Sequence, residues 1–299
     1  MVKAKSPNAS AEKIEIETVH LEKGSLPDDY VGASGYARKY AGELIRPDGK
    51  HYSRNERRAY YVKKDGHPAT TPLHIARWAI QKFTKPGDWV LDPTVGSGTT
   101  IVEALRLGRN AAGVEIEFFD ILKENIRANN PLGMKYHVVH GDAREVGKLI
   151  KPVDAKFSLV VNNPPYSGDL RQHGLAEKRD GKWDNKSKFY DPRFRNLAFM
   201  KESPEYWKEI ESIYVQCIAV LKPGGTFVIG VKDMMRSRKP YKLHELFGDI
   251  LSKHLEYRAM VVLLHSPPTL HLNTYEKKFG VPCPKYQTIL VFQKKEGKK

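Results

Sequence analysis

From about residue 67 onward the chain alternates short apolar runs with amphipathic stretches, and this alternation limits the possible folds more than any other feature. "WVLDPT" (89–94) is an apolar run ending in Asp and Pro, the pattern of a buried strand. "SGTTIVEALRLGR" follows, with Ile101, Ala104, Leu105 and Gly108 at helical spacing. "AAGVEI" (111–116) reads as a second strand, and "EFFDILKENIRANN" as a helix with Phe118, Leu122 and Ile126 on one face. "YHVVHGD" (136–142) and "FSLVVNNPP" (157–165) supply the third and fourth strands. A helix over "PEYWKEIESIYVQCIAVL" leads through "KPGG" into strand "TFVIGVKD" (226–233). Helix "YKLHELFGDILSKHL" then precedes "YRAMVVLLHS" (257–266) and "YQTILVFQKK" (286–295). Strands separated by helices run parallel, and apolar ones must be covered on both faces. The last two strands have no helix between them, which predicts an antiparallel edge pair. The expected fold is α/β: a mainly parallel seven-stranded sheet with helices on both faces.

Residues 1–66 lack a clean period and carry a basic, tyrosine-rich stretch, "YSRNERRAYYVKK". They read as an N-terminal extension packed on a single domain of residues 67–299. The formal net charge is +15, from 50 Lys plus Arg against 35 Asp plus Glu, which favours a polyanionic partner, above all nucleic acid. The two cysteines, Cys217 and Cys283, make neither a disulfide framework nor a zinc spacing. They fit a reducing cytoplasm and no metal is expected. The longest aliphatic run, "AMVVLL" (259–264), is far too short for a membrane span.

In an open parallel sheet, ligands bind at the carboxyl ends of the central strands. "DPTVGSGTT" (92–100) lies at such an end, where Gly96 and Gly98 permit a tight turn and close backbone approach. A P-loop would need a Lys before the Ser or Thr, and a dinucleotide fingerprint a third glycine where Ile101 stands. A ligand without phosphates, such as S-adenosylmethionine, fits better. Glu115 ends the second strand, where an acid accepts hydrogen bonds from ribose hydroxyls, and Asp142 ends the third, within reach of an adenine amino group. Each acid alone also reads as an ordinary solvated strand end.

"HPATTPLHIARWAIQKFTKPGDWVLDPTVGSGTTIVEALRLGRNAAGVEIE" closely resembles the amino-methyltransferases of nucleic acids. The resemblance spans about residues 67–233 and implies a Rossmann-like class I S-adenosylmethionine-dependent methyltransferase domain. It places His67, Pro68, Thr70 and Thr71 near the methionine end of the cofactor. It makes Asp92, Thr94, Gly96, Ser97, Gly98 and Thr99 the cofactor loop, with Glu115, Ile116, Asp142 and Ala143 further along the same site and Asn163 bordering it.

The family's second hallmark is here Asn163-Pro164-Pro165-Tyr166, after the fourth strand. An exocyclic base amine is a poor nucleophile, because its lone pair is delocalised into the ring. The Asn163 side-chain oxygen and the Pro164 carbonyl could each accept one of its N–H groups and point the lone pair at a sulfonium methyl. Pro165 stiffens the turn, and Tyr166 offers a stacking face for an unstacked base. "SPPT" (266–269) mimics the hallmark but follows a late edge strand and lacks the aromatic, so it reads as a turn.

Residues 167–201 interleave basic side chains with Trp183, Phe189, Tyr190, Phe194 and Phe199. This insert suits phosphate contact and base stacking, with Arg171, Lys188, Tyr190, Arg193 and Arg195 as substrate-binding candidates. The small space left for target recognition favours RNA, and the overall pattern is similar to archaeal ribosomal-RNA cytidine-N4 methyltransferases. DNA methylation at adenine N6 or cytosine N4 stays open, as does methylation of a protein glutamine.

Overall fold

The computed structural model describes residues 71, 73–166, 178–179, 182–183, 197, 200, 202–236, 239–264, 277–281 and 286–296. In chain order these form α1 (Leu73–Phe83), β1 (Trp89–Asp92), α2 (Thr99–Arg106), β2 (Asn110–Glu115), α3 (Phe119–Ala128), β3 (Tyr136–His140), α4 (Val146–Leu149) and β4 (Phe157–Asn162). They continue with α5 (Pro204–Val220), β5 (Leu221–Lys232), α6 (Leu243–Ser252), β6 (Glu256–Leu264) and β7 (Tyr286–Gln293). Two short antiparallel ribbons, Lys178–Arg179 with Lys182–Trp183 and Met234–Arg236 with Lys239–Tyr241, stand apart from the main sheet.

The seven main strands lie in the order β6-β7-β5-β4-β1-β2-β3. β3, β2, β1, β4 and β5 pair in parallel, while β7 runs antiparallel to both β5 and β6. The expected mainly parallel sheet with an antiparallel edge pair is therefore present.

Successive strand residues point to opposite faces, so each central strand feeds two cores. On β4, Val160 joins the core under α5 and α6 with Tyr206, Ile213, Tyr214 and Phe247. Leu159 and Val161 join the core under α1, α2 and α3 with Ala79, Ile80, Leu105 and Leu122. Burying one such aliphatic side chain stabilises the fold by roughly 1.5–3 kcal/mol. β4 is buried along its whole length, which is why "FSLVVN" reads as a run rather than an alternation.

α5 opens with Ser203, whose hydroxyl accepts from the Tyr206 N–H at 3.3 Å, followed by Pro204 in the first turn. α2 is buried nearly all round; even Glu103 is inside, bonded to Arg77 Nε of α1 at 2.9 Å. α1 itself was not distinguished in the sequence, although Ile75, Ala76, Ala79 and Ile80 form a buried stripe on it. The "KPGG" segment, read as the link ahead of a strand at 226–233, is drawn into β5: Gly224 N–H donates to the Lys294 carbonyl at 3.0 Å, and Lys294 N–H to the Gly225 carbonyl at 2.9 Å.

β1 lies between β4 and β2, in the middle of the five parallel strands. The chain leaves β1 toward α2 on one face and, after β4, returns through α5 on the other. That divergence opens a crevice at the carboxyl ends of β1 and β4.

Candidate active site

The loop after β1 is held by backbone donors reaching for carboxylates. Thr94 N–H donates to Asp92 Oδ1 at 3.0 Å, and Gly96 N–H to Glu115 Oε2 at 2.6 Å. Gly96 and Gly98 adopt φ of 61° and 105°, a region that other residues enter only with strain. On the far side Asn125 Nδ2 of α3 donates to the Ser97 carbonyl at 2.7 Å. The loop is thus tied to β2 and α3.

Glu115 is buried at the end of β2 and accepts two further backbone N–H groups on Oε1, from Glu117 at 2.8 Å and Phe118 at 2.9 Å. A carboxylate has about four acceptor positions, so room remains on Oε2 for a ligand hydroxyl. Asp142 follows β3 and caps the short turn Ala143–Glu145; Arg144 donates to it through N–H at 3.0 Å and Nη1 at 2.6 Å. Ile116 and Ala143 sit beside these acids, with the Ile116 carbonyl 3.0 Å from His140 Nε2 and His140 stacked on Phe119. Asp92, Glu115 and Asp142, the last offset by Arg144, line the strand ends with acceptor oxygens. Such an edge suits a ligand rich in hydroxyl and amino donors, as S-adenosylmethionine is.

Asp92 is almost fully buried, and burial pushes its carboxyl up to about 6, against the opposing pull of donors from Thr94 and Asn162. Asn162 closes β4. Its Nδ2 donates to Thr94 Oγ1 at 2.7 Å, and its Oδ1 accepts from Tyr214 OH at 2.9 Å. The glycine loop and the Asn-Pro-Pro-Tyr turn are therefore joined through one buried side chain.

In the turn itself, the Pro165 carbonyl accepts from Tyr206 OH at 2.9 Å, and Tyr166 OH accepts from the Lys232 N–H at 2.7 Å. Burial pushes the Tyr166 phenol up to about 12. The ring is anchored at its tip and packs against the α5–α6 core. Asn163 Oδ1 lies over Gly230, where any Cβ would overlap it, and 3.5 Å from Gln287 Nε2. Its Nδ2 is buried and has no hydrogen-bond partner among the described residues. Among those residues nothing donates to the Pro164 carbonyl.

Asp92, Thr94, Gly96, Ser97, Gly98 and Thr99 thus follow β1 at the same end of the sheet where Asn163, Pro164, Pro165 and Tyr166 follow β4, and Glu115, Ile116, Asp142 and Ala143 lie at that end of β2 and β3. Thr71 is half-buried just before α1. His67, Thr70 and the insert residues Arg171, Lys188, Tyr190, Arg193 and Arg195 lie outside the described residues, as does "SPPT". Asn162, Tyr214, Asn125, Gly230 and Gln287 were not foreseen. The doubled asparagine held a signal for the first, because adjacent residues at a strand end face opposite ways. Nothing local marks the others.

Residues 6–123 match the N6_N4_Mtase family, a DNA methylase. The match begins inside the N-terminal extension, earlier than the resemblance expected from residue 67, and stops before β4 and the Asn-Pro-Pro-Tyr turn. Among curated relatives, Type II methyltransferase M2.DpnII of Streptococcus pneumoniae is 44% identical over 66 residues, 21% of this chain and 25% of its own. Type II methyltransferase M.MthZI of Methanothermobacter thermautotrophicus is 32% identical over 91 residues, 30% of this chain and 25% of its own. The chain spans about a quarter of the length of the curated relatives it matches. Among solved structures, TrmN from Thermus thermophilus superposes with a TM-score of 0.48 at 15% identity, over 82% of this chain and 54% of that one. A methyltransferase from Pyrococcus furiosus gives 0.45 at 14%, over 87% and 100%. Both likenesses are remote, and the fold rests on the strand order. The similarity is to amino-methyltransferases, and the matched family points to DNA where the sequence pattern favoured ribosomal RNA. Among the described residues no helix is long and apolar enough to cross a membrane.

Proposed function

We propose that this chain transfers a methyl group from S-adenosylmethionine to the exocyclic amine of a base in DNA, adenine N6 or cytosine N4. The observation that carries this reading is the junction of two loops: Asn162 Nδ2 reaches Thr94 Oγ1 at 2.7 Å, so the glycine loop and the Asn163–Tyr166 turn border one crevice. The matched family supports DNA, and the net charge of +15 suits a polyanion.

Bound in the crevice, S-adenosylmethionine supplies an electrophilic methyl on a sulfonium. Glu115 and Asp142 are the acceptors for its ribose and adenine, and Asp92, Thr94 and Gly96–Thr99 shape the loop around it, with His67, Thr70 and Thr71 at its methionine end. Asn163 and the Pro164 carbonyl accept the two amine hydrogens, which draws the nitrogen toward a tetrahedral shape and aims its lone pair. The aromatic edge of Tyr166, fixed through Lys232, backs a base lifted from its stack. The insert at 167–201 supplies Arg171, Lys188, Tyr190, Arg193 and Arg195 as contacts for the substrate. A second reading, cytidine N4 of ribosomal RNA, is favoured by that insert's alternation of basic and aromatic residues, which suits unpaired bases.

The test is transfer of labelled methyl to DNA, ribosomal RNA, tRNA or a release factor, followed by mass spectrometry of the labelled nucleosides. Label in DNA is expected. Label confined to RNA selects the second reading, and label confined to protein overturns both. Asn163→Ala should lower kcat by about 10²–10³-fold while S-adenosylhomocysteine binding stays within twofold.

A further inference from the structure

Gln287, the second residue of β7, is 5% exposed and lies 124 positions from the turn it touches. Its Nε2 faces Asn163 Oδ1 at 3.5 Å, which leaves Asn163 Nδ2, buried and unpartnered, as the end turned away from Gln287. That pose is chemically idle for amine methylation. The acceptor amine offers hydrogens, and a carboxamide NH₂ facing it offers hydrogens too.

A half-turn of the Asn163 side chain exchanges oxygen and NH₂ at almost constant volume. Gly230, without a Cβ, leaves the space in which either atom fits. After the half-turn Asn163 Nδ2 would donate to the Gln287 side-chain oxygen, and Asn163 Oδ1 would face the amine. The orphaned Asn163 Nδ2 is then satisfied, which removes the penalty of a buried unpaired donor. Gln287 can supply either partner because its own carboxamide also reverses. A residue that only donates would lock the idle pose, and one that only accepts would lock the working pose.

We infer that Gln287 is a positioning residue that sets which end of the Asn163 carboxamide faces the substrate amine. The inference rests on amino-methyl transfer as the reaction of this site.

The full chain is compared as wild type, Gln287→Glu, Gln287→Met and Gln287→Lys. Single-turnover rates, KM for DNA and for RNA substrate, S-adenosylhomocysteine affinity and thermal unfolding are measured for each. At pH 8 Gln287→Glu should keep kcat within about threefold, Gln287→Met should lose about tenfold and Gln287→Lys about 10²-fold, the scale of one misplaced hydrogen-bonding group. KM and cofactor-product affinity should stay within twofold. Full kcat in folded Gln287→Met, or equal losses in Gln287→Glu and Gln287→Met, overturns the assignment. Should Gln287→Lys unfold, the Glu–Met comparison decides alone. Nitrogen-15 NMR of the Asn163 side-chain NH₂ separates this proposal from the reaction itself. A downfield shift in Gln287→Glu relative to Gln287→Met supports the pairing even if no nucleic acid is methylated, and coincident resonances overturn it.

Discussion

Tyr214 of α5 donates its hydroxyl hydrogen to Asn162 Oδ1 at 2.9 Å, and so holds a side chain 52 positions earlier in the sequence. Burial keeps the Tyr214 phenol far above its ordinary range, which makes it a permanent donor. With its oxygen fixed there, Asn162 turns its NH₂ toward Thr94 Oγ1 and Asp92. One buried tyrosine thereby sets the spacing between the glycine loop and the Asn-Pro-Pro-Tyr turn. Tyr214→Phe keeps the ring and its edge contact with Phe227 but leaves Asn162 Oδ1 without its donor. The expected cost is about 1–2 kcal/mol, a fall in Tm of roughly 2–6 °C at this chain length. S-adenosylhomocysteine affinity should fall with it; calorimetry showing unchanged affinity would separate the tyrosine from the loop.

Glu115→Gln tests the carboxylate that gathers the Gly96, Glu117 and Phe118 N–H groups. A glutamine must set its NH₂ against one of these donors. A loss of about 1–3 kcal/mol is expected, divided between stability and cofactor binding. Differential scanning calorimetry with and without S-adenosylhomocysteine measures both parts, and a variant that unfolds and binds like wild type would remove Glu115 from the site.

Asp92 carries a pH signature. Burial raises its carboxyl from 3.8 to about 6, so between these values the folded chain holds a proton that the unfolded chain has released. Its contribution to stability is present in full below 3.8 and lost as pH rises through about 6. The shift corresponds to about 3 kcal/mol. Asp92→Asn removes this slope, so unfolding free energies from pH 4 to 7.5 should move in favour of the variant as pH rises. A difference between the two proteins that is flat with pH would contradict the burial cost.

Gly230→Ala would put a Cβ onto Asn163 Oδ1. The asparagine must swing aside, and kcat should fall by about 10²-fold with Tm changed by only a few degrees. Measured rates near wild type would show that the Asn163 pose over Gly230 is irrelevant to turnover.

Local chemistry made most of the sheet legible. Apolar runs such as "FSLVVN", buried on both faces of β4, and helical stripes such as Leu122 and Ile126 follow from side-chain period alone. α1 escaped because half of its buried stripe is alanine, Ala76 and Ala79 beside Ile75 and Ile80, and alanine gives a weak apolar signal although these two have no exposure. Gly96, Gly98 and Asn163-Pro164-Pro165-Tyr166 were visible because turns depend on neighbouring residues. The sequence by itself determined the strand–helix alternation, the placing of these turns at strand ends, the excess positive charge and the residue types able to accept an amine hydrogen. Only the tertiary structure decided that β4 lies beside β1, that Tyr214 and Asn162 bridge their loops, and that Gln287 of β7 and Gly230 of β5 meet Asn163. Hydrogen-bond partners 52 and 124 positions apart leave no periodic trace along the chain, because they meet only when burial of two core faces brings their strands and helices together.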